Sequence, residues 1–279
     1  MDISICIITY NQKDYVAQAI ESALAQKCNF NYQIIISDDG SMDGTKEIIA
    51  NYAAKYPDLI KAFYADTNIG MLKNWAKALM LCKGRYIALL EGDDFWNDHL
   101  KLQKQYRILE DKPDCSISFT NAFIVYENNP DGYPYYVTKT AEYYSIADLL
   151  EYNFIPTCSV LMRNNISEKF FPDNYFKSPF ADWIIHFLNA QNGRIHFLNE
   201  FTCTYRVHDN GVWGGIAEER QLYNRVLALA LINDIATEKN QKQIIKMSRK
   251  KALQDLCFFY KKRGDRLNYL KFRLKLILL

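Results

Sequence analysis

Apolar positions in the first 110 residues follow two alternating periods. Residues 3–9 form a β-branched run, the pattern of a strand covered on both faces. Val16, Ala19, Ile20, Ala23 and Leu24 then recur at i, i+3 and i+4, which predicts a helix capped by Asp14. A second buried strand is predicted over 33–37, around Ile34-Ile35-Ile36, and Asp43-Gly44-Thr45 opens a second helix. Residues 61–64 read as a weak third strand, 71–82 as a helix ended by Lys83-Gly84, and 86–90 as a fourth strand. Asn97 or Asp98 caps a further helix running to about residue 111.

The middle of the chain has a different pattern. Strand-like patterns cover 116–126, 159–162 and most of 196–207, and a helix is predicted over 180–191. Residues 128–140, with Asn128-Asn129-Pro130-Asp131-Gly132, read as a Tyr-rich loop. Ser145 and Asp148 have the spacing of a capping box ahead of a short helix. Beyond Gly211-Val212-Trp213-Gly214-Gly215 the chain reads as helical nearly to residue 279.

Strand–helix–strand alternation implies an α/β fold with a parallel sheet and right-handed crossovers. Such sheets bind ligands beyond the carboxyl ends of their strands. Three polar motifs fall there: Thr9-Tyr10-Asn11, Asp38-Asp39-Gly40-Ser41 and Glu91-Gly92-Asp93-Asp94.

Composition narrows the picture. The hydrophobic fraction of 49% is that of an ordinary globular chain. No apolar run approaches the ~20 residues that span a bilayer. The start Met1-Asp2-Ile3 lacks the basic region of a cleaved signal peptide. Seven scattered cysteines without a C-x-x-C pair suggest buried reduced thiols and a cytoplasmic protein. The net charge of +2 conceals a split: residues 238–279 carry 13 basic and 3 acidic residues (+10), and the preceding 237 carry 21 and 29 (−8).

Three carboxylates within Glu91-Gly92-Asp93-Asp94 repel one another unless a cation or substrate hydroxyls occupy the site. Mg²⁺ commonly takes one or two carboxylates together with substrate phosphates. A solvated acidic turn is the alternative. A carboxylate of Asp38-Asp39-Gly40-Ser41 can accept from a base N–H and a ribose hydroxyl, or can simply close an Asx-type turn. Tyr10 can stack on a base and Asn11 can fix the neighbouring loop, or both can belong to an ordinary strand-to-helix turn.

Ile8-Thr9-Tyr10-Asn11, then residues 38–45, then Gly84-Arg85-Tyr86-Ile87-Ala88-Leu89-Leu90-Glu91-Gly92-Asp93-Asp94, resemble family 2 glycosyltransferases of the GT-A fold. The resemblance covers about residues 3–215. It implies a Rossmann-like, mostly parallel mixed sheet flanked by helices. It also implies transfer of a sugar from a nucleotide-sugar, usually with inversion and with Mg²⁺ or Mn²⁺. By resemblance, Tyr10 and Asp39 hold the nucleobase, with Thr9 and Asn11 beside them. Asp93 and Asp94 stand where the family has its D-x-D element, for ribose and the metal-bound diphosphate, and Glu91 stands where many members have the first Asp. Lys73, in Lys73-Asn74, faces the phosphates or is an exposed helix lysine. Asp182, in Ala181-Asp182-Trp183, becomes the general base. A carboxylate in a first helical turn stays ionised, and an acceptor hydroxyl must lose its proton as it attacks. Tyr205-Arg206-Val207-His208 matches a late Y-R-x-H element: His208 ligates the metal or bonds a diphosphate oxygen, and Arg206 neutralises phosphate or forms a structural ion pair. Trp213 lies in a loop suited to closing over donor or acceptor. Trp96 and Trp183 pack in the core or on a sugar face.

The resulting division is a catalytic domain over 1–215, with a nucleotide-binding half over 1–110 and an acceptor-binding half over 111–215, followed by a helical extension over 216–279. The expected partners are a nucleotide-sugar, UDP-linked by default, and a glycan or lipid-linked acceptor of surface polysaccharide synthesis. Dinucleotide and P-loop enzymes lack support, since G-x-G-x-x-G and G-x-x-x-x-G-K-[ST] are absent. A nucleotidyltransferase, a non-catalytic nucleotide-sugar binder and a glycoside hydrolase are the remaining alternatives. The basic tail alternates Lys and Arg with Leu, Phe and Ile, as in a helix lying on an anionic membrane, here the inner face of the cytoplasmic membrane. Packing on the body and oligomer contact are the other readings of the tail, and nucleic acid is the weakest.

Overall fold

The computed structural model describes residues 1–127, 129–135, 141–167, 169–208, 211 and 217–278. Strands β1 (Ile3–Thr9), β2 (Tyr32–Asp38), β3 (Ile60–Tyr64) and β4 (Tyr86–Glu91) alternate with helices α1 (Val16–Leu24), α2 (Thr45–Lys55) and α3 (Met71–Leu81). They pair in the order β3-β2-β1-β4, all parallel, so their carboxyl ends share one edge. The short β5 (Phe95–Trp96) and α4 (Lys101–Asp111) follow.

The second half makes the sheet mixed. It contributes β6 (Cys115–Tyr126), β7 (Asn129–Pro134), β8 (Tyr143–Tyr144), α5 (Ile146–Glu151), β9 (Leu161–Arg163), α6 (Ala181–Ala190) and β10 (Arg194–Val207). Strand β9 runs antiparallel between β4 and β6, while β10 runs parallel to β6 and antiparallel to β5. Helices α7 (Glu218–Ile235), α8 (Lys239–Lys262) and α9 (Arg266–Ile277) complete the chain.

The period-2 alternation of β1 divides the core. Ile3, Ile5 and Ile7 pack with Val16, Ile20, Ile34 and Ile36 on the α1 and α2 side. Cys6 and Ile8 face the opposite layer with Trp75, Leu79 and Ile184. Leu229, Ile232, Ile245, Leu253 and Leu256 of α7 and α8 join that second cluster, so the C-terminal helices share the core of the sheet. No described helix is long and apolar enough to cross a membrane. All seven cysteines are free, and every one but Cys28 is buried.

Several local expectations are corrected. Asp14 does not cap α1: Tyr15 holds that position and contributes no side-chain bond. Helix α4 starts at Lys101, and Asp98 accepts from the Leu100 N–H one turn earlier, at 2.8 Å. Part of the predicted Tyr-rich loop is strand β7, which pairs antiparallel with β6; residues 128 and 136–140 lie outside the described residues. The strand expected over 159–162 is β9 at Leu161–Arg163, because Ser159 closes a 3₁₀ turn over 157–159. The capping box is present, with Ser145 and Asp148 bonding each other's backbone N–H groups.

Candidate active site

The carboxyl ends of β1, β2 and β4 bring the three motifs together. The Asp39 N–H donates to Thr9 O and the Gly92 N–H to Ile8 O, both at 2.9 Å. The two aspartates of the second motif have separate tasks. Asp38 closes the turn, accepting from the N–H groups of Gly40 (3.1 Å) and Ser41 (2.9 Å). Asp39 faces the 69–70 loop instead, its two oxygens accepting from Ile69 (2.7 Å) and Gly70 (3.0 Å). Burial raises the Asp39 pKa against the pull of those two N–H groups.

Thr9 is buried, and its hydroxyl has no hydrogen-bond partner among the described residues. Tyr10 is 45% exposed at the rim. Asn11 sits in the left-handed region (φ 51°) and accepts from the Met42 N–H at 2.9 Å, so it clamps the β1 and β2 loops together. Lys73 is exposed in the first turn of α3. The lysine whose charge acts on Asp39 is Lys77, one turn further on. Gly92 approaches this space closely: a Cβ there would lie 2.5 Å from Gln12 Oε1 and 2.9 Å from Thr9 Oγ1. Gln12 Oε1 is itself buried and unpartnered among the described residues.

The acidic motif continues the same edge. Burial, and then the charges of Asp94, Asp93 and Asp182, push the Glu91 pKa well above the usual carboxylate range. One Glu91 oxygen, Oε2, is buried without a partner among the described residues. Asp94 is 1% exposed and accepts from the Arg206 backbone N–H at 2.8 Å. Burial and the Asp93 charge raise its pKa, and its Oδ2 has no hydrogen-bond partner among the described residues. Asp93 Oδ2 lies 3.1 Å from His208 Nε2, and the His208 ring rests 4.7 Å from Tyr15. The Arg206 guanidinium bonds the Asp93 carbonyl and, at 2.6 Å, Gln18 Oε1. It lies 4.6 Å over Tyr15 and 5.2 Å over Phe95, a protein-bound arginine rather than a free one.

Asp182 occupies the first turn of α6, as its sequence context predicts. Asn153 Nδ2 donates to Asp182 Oδ2 at 2.6 Å, and Asn153 Oδ1 lies 3.4 Å from His186 Nδ1. Burial raises the Asp182 pKa, while the Trp183 N–H and Asn153 oppose the rise. Trp183 and Trp96 are core residues, each 3% exposed, donating to Leu149 O (3.0 Å) and Cys158 O (2.8 Å). Trp213 lies outside the described residues.

Sequence reading missed Asn153, His186 and Gln12. None stands in a spacing pattern, and Asn153 reaches its partners across 29 and 33 residues of chain. Nor do the three residues expected at a metal converge as one ligand group. Asp93 and His208 form a pair, whereas Asp94 turns to the Arg206 backbone. Among the described residues no group of three His, Cys, Asp or Glu side chains forms a cation cage. A pair suits a hard cation that takes its remaining ligands from substrate phosphates and water. Glu91 Oε2 and Asp94 Oδ2, in the same acidic motif, are buried acceptors without a partner among the described residues, a donor set that fits a cation or hydroxyl ligand.

A parallel nucleotide-type sheet edge, an acidic cluster and a lone helix-start aspartate define a class. The family model Glycosyl transferase family 2 matches residues 4–170, and the chain belongs to that family. The fold is GT-A. S. aureus TarS, solved as residues 1–349 in complex with UDP-GlcNAc, superposes with a TM-score of 0.72 at 18% identity, covering 99% of this chain and 81% of that one. An uncharacterised Mycobacterium tuberculosis protein is 36% identical over 221 residues, 79% of this chain and 63% of the relative, so the chain spans under two thirds of that relative's length. TuaG of Bacillus subtilis, provisionally named a teichuronic acid biosynthesis glycosyltransferase, is 28% identical over 212 residues, 75% of this chain and 81% of TuaG.

Proposed function

We propose that the protein moves a sugar from a nucleoside diphosphate-sugar, UDP-linked by default, to a hydroxyl of a glycan or lipid-linked acceptor in surface polysaccharide synthesis, with inversion. The observation that carries this reading is geometric: the ends of β1, β2 and β4 are bonded into one edge that holds Thr9, Asp39 and the 91–94 acidic motif, with Asp93 against His208, and the charge of Asp182 in the first turn of α6 reaches Glu91 there. The family match and the surface-polymer name of TuaG support the reaction type and the acceptor class. The UDP-GlcNAc held by TarS, on the same fold, supports the donor class.

Each side chain has a task in this scheme. Tyr10, Thr9 and Asp39 receive the base and ribose, with Asn11 holding the loop that carries Tyr10. Lys73, at the start of α3, is the proposed solvent-side phosphate contact. Asp93 and His208 would hold a divalent cation, Mg²⁺ or Mn²⁺, with Asp94 behind them. Such a cation, when bound, supplies neutralisation of the diphosphate leaving group. Arg206 fixes the Asp93 backbone, and Glu91 and Trp213 are proposed sugar contacts. Asp182 accepts the proton of the attacking hydroxyl, which approaches the anomeric carbon opposite the diphosphate. The reaction takes place in the cytoplasm, at the inner face of the membrane.

The test is the anomeric configuration of the product by NMR, with wild type and Asp182→Asn. Inversion, with turnover in the variant reduced at least ~100-fold, is expected. Retention of configuration, or full activity of the variant, contradicts the scheme.

A further inference from the structure

Helix α9 has two apolar faces, and only one is covered. Phe272 is 3% exposed and stacks on Tyr260, ring centroids 5.5 Å apart, with Tyr223 at 6.0 Å. This contact seats the helix on α7 and α8. The other face carries Leu267, Leu270, Leu274 and Ile277, followed by Leu278, which are 80%, 55%, 61%, 72% and 85% exposed. At 3.6 residues per turn they occupy an arc of about 100°, centred roughly opposite Phe272.

The rims of that arc are uniformly positive. Arg266 and Arg273 border one side and Lys271 and Lys275 the other, all four exposed. The helix contains no acidic residue. Among the described residues no ion pair joins these four cations to a carboxylate, although other surface cations, such as Lys104 and Arg194, do form such pairs. The Lys271 and Lys275 ammonium groups instead lie 5.5 and 5.2 Å from the Phe272 ring.

An exposed apolar stripe of this length marks an interaction surface. Its rims select the partner. Two copies meeting stripe to stripe would set like charges against each other, so self-association through this face is disfavoured. An anionic lipid surface offers hydrocarbon to the leucines and phosphates to both basic rims. We propose that α9 docks the protein on an anionic bilayer, lying in the membrane plane with Leu267, Leu270, Leu274 and Ile277 below the headgroups and Arg266, Lys271, Arg273 and Lys275 among them. Phe272 keeps the helix attached to the body throughout. This docking is independent of the transferase reading, and its test needs no turnover.

The experiment is vesicle flotation of the full chain, comparing phosphatidylcholine alone with phosphatidylcholine containing about one third phosphatidylglycerol. Two variants accompany it: Leu270→Ser/Leu274→Ser/Ile277→Ser, and Lys271→Gln/Arg273→Gln. The wild type floats with the anionic vesicles and stays down with the neutral ones. The triple serine variant stays down with both, at an unchanged Tm because the substituted side chains are exposed. The charge variant binds the anionic vesicles about 30-fold more weakly, roughly fivefold per cation removed. Three results overturn the proposal: no flotation of wild type with anionic vesicles, equal flotation with neutral ones, or flotation unaffected by the serine substitutions. A concentration-dependent dimer of wild type that the serine variant abolishes would assign the stripe to a second copy instead.

Discussion

Asn153 bridges Asp182 and His186, its amide nitrogen 2.6 Å from the aspartate and its oxygen 3.4 Å from the imidazole. His186 is fully buried, and burial pulls its pKa down to about 3, so the ring is neutral near neutral pH. Asn153 is thereby oriented from behind and holds the Asp182 carboxylate from the side. It is a positioning residue for the proposed base.

The first prediction follows from the sign of the Asp182 shift. The base must be ionised, and burial raises its pKa, so kcat/KM falls as pH drops through a value above the usual aspartate range. Asn153 opposes that rise, so Asn153→Ala moves the acid limb to higher pH and lowers kcat by about tenfold. The pH–rate profiles of wild type and variant provide the check. Superimposable acid limbs would remove Asn153 from this role.

A second prediction concerns space. A methyl group at Gly92 meets Gln12 Oε1 at 2.5 Å and Thr9 Cβ at 2.9 Å, inside the proposed nucleotide cradle. Gly92→Ala is expected to weaken nucleoside diphosphate binding about tenfold, while unfolding free energy falls by only ~1 kcal/mol. Calorimetric titration and chemical denaturation read the two effects separately. A variant with unchanged affinity and a large loss of stability would make Gly92 purely structural.

Metal dependence gives a third prediction. Asp93 and His208 share a 3.1 Å contact that a cation would replace. Asp93→Asn and His208→Ala should each raise the Mn²⁺ concentration for half-maximal activity about 10-fold or more. Activity against metal concentration, after chelation and re-addition, measures this. Full wild-type activity in chelator would contradict the metal assignment.

Lys101 supplies a fourth, in stability. It is fully buried, donates to Gln105 Oε1 at 2.7 Å and sits 4.6 Å over the Trp96 ring, with burial lowering its pKa to about 8. The unfolded chain holds this proton up to the ordinary value of 10.5, so between about 8 and 10.5 it binds more protons than the folded one. This group's contribution to stability therefore rises with pH across that window and is lost as pH falls through about 8. The span is about 3 kcal/mol. Lys101→Met should lack that slope, which denaturation midpoints at several pH values would reveal. Parallel pH dependences in the two proteins would rule it out.

Much of this arrangement was legible because its signals are local. The β-branched runs produced β1, β2 and β4 near their predicted bounds, and the three polar motifs do share one sheet edge. Ser145 and Asp148 were readable as a cap because both partners lie within one helical turn. Strand β7 was not readable. Pro130, Asp131 and Gly132 carry turn chemistry, and the segment is a strand only because β6 extends far enough to pair with it. Periodicity could not pair Asp94 and Asp93 with Arg206 and His208, which reach them across 112 and 115 residues; only the family resemblance set His208 and Arg206 beside the acidic motif. Such contacts depend on how β10 and β5 pair, which no periodicity encodes.

The most direct measurement is nucleoside diphosphate release from a panel of UDP-, GDP- and dTDP-sugars, with Mn²⁺ and a membrane extract as acceptor. One donor class is expected to yield its free nucleoside diphosphate in step with sugar incorporation, and Asp182→Asn to reduce both at least ~100-fold. Pyrophosphate release from a nucleoside triphosphate, with no turnover of any nucleotide-sugar, would contradict the proposed transfer.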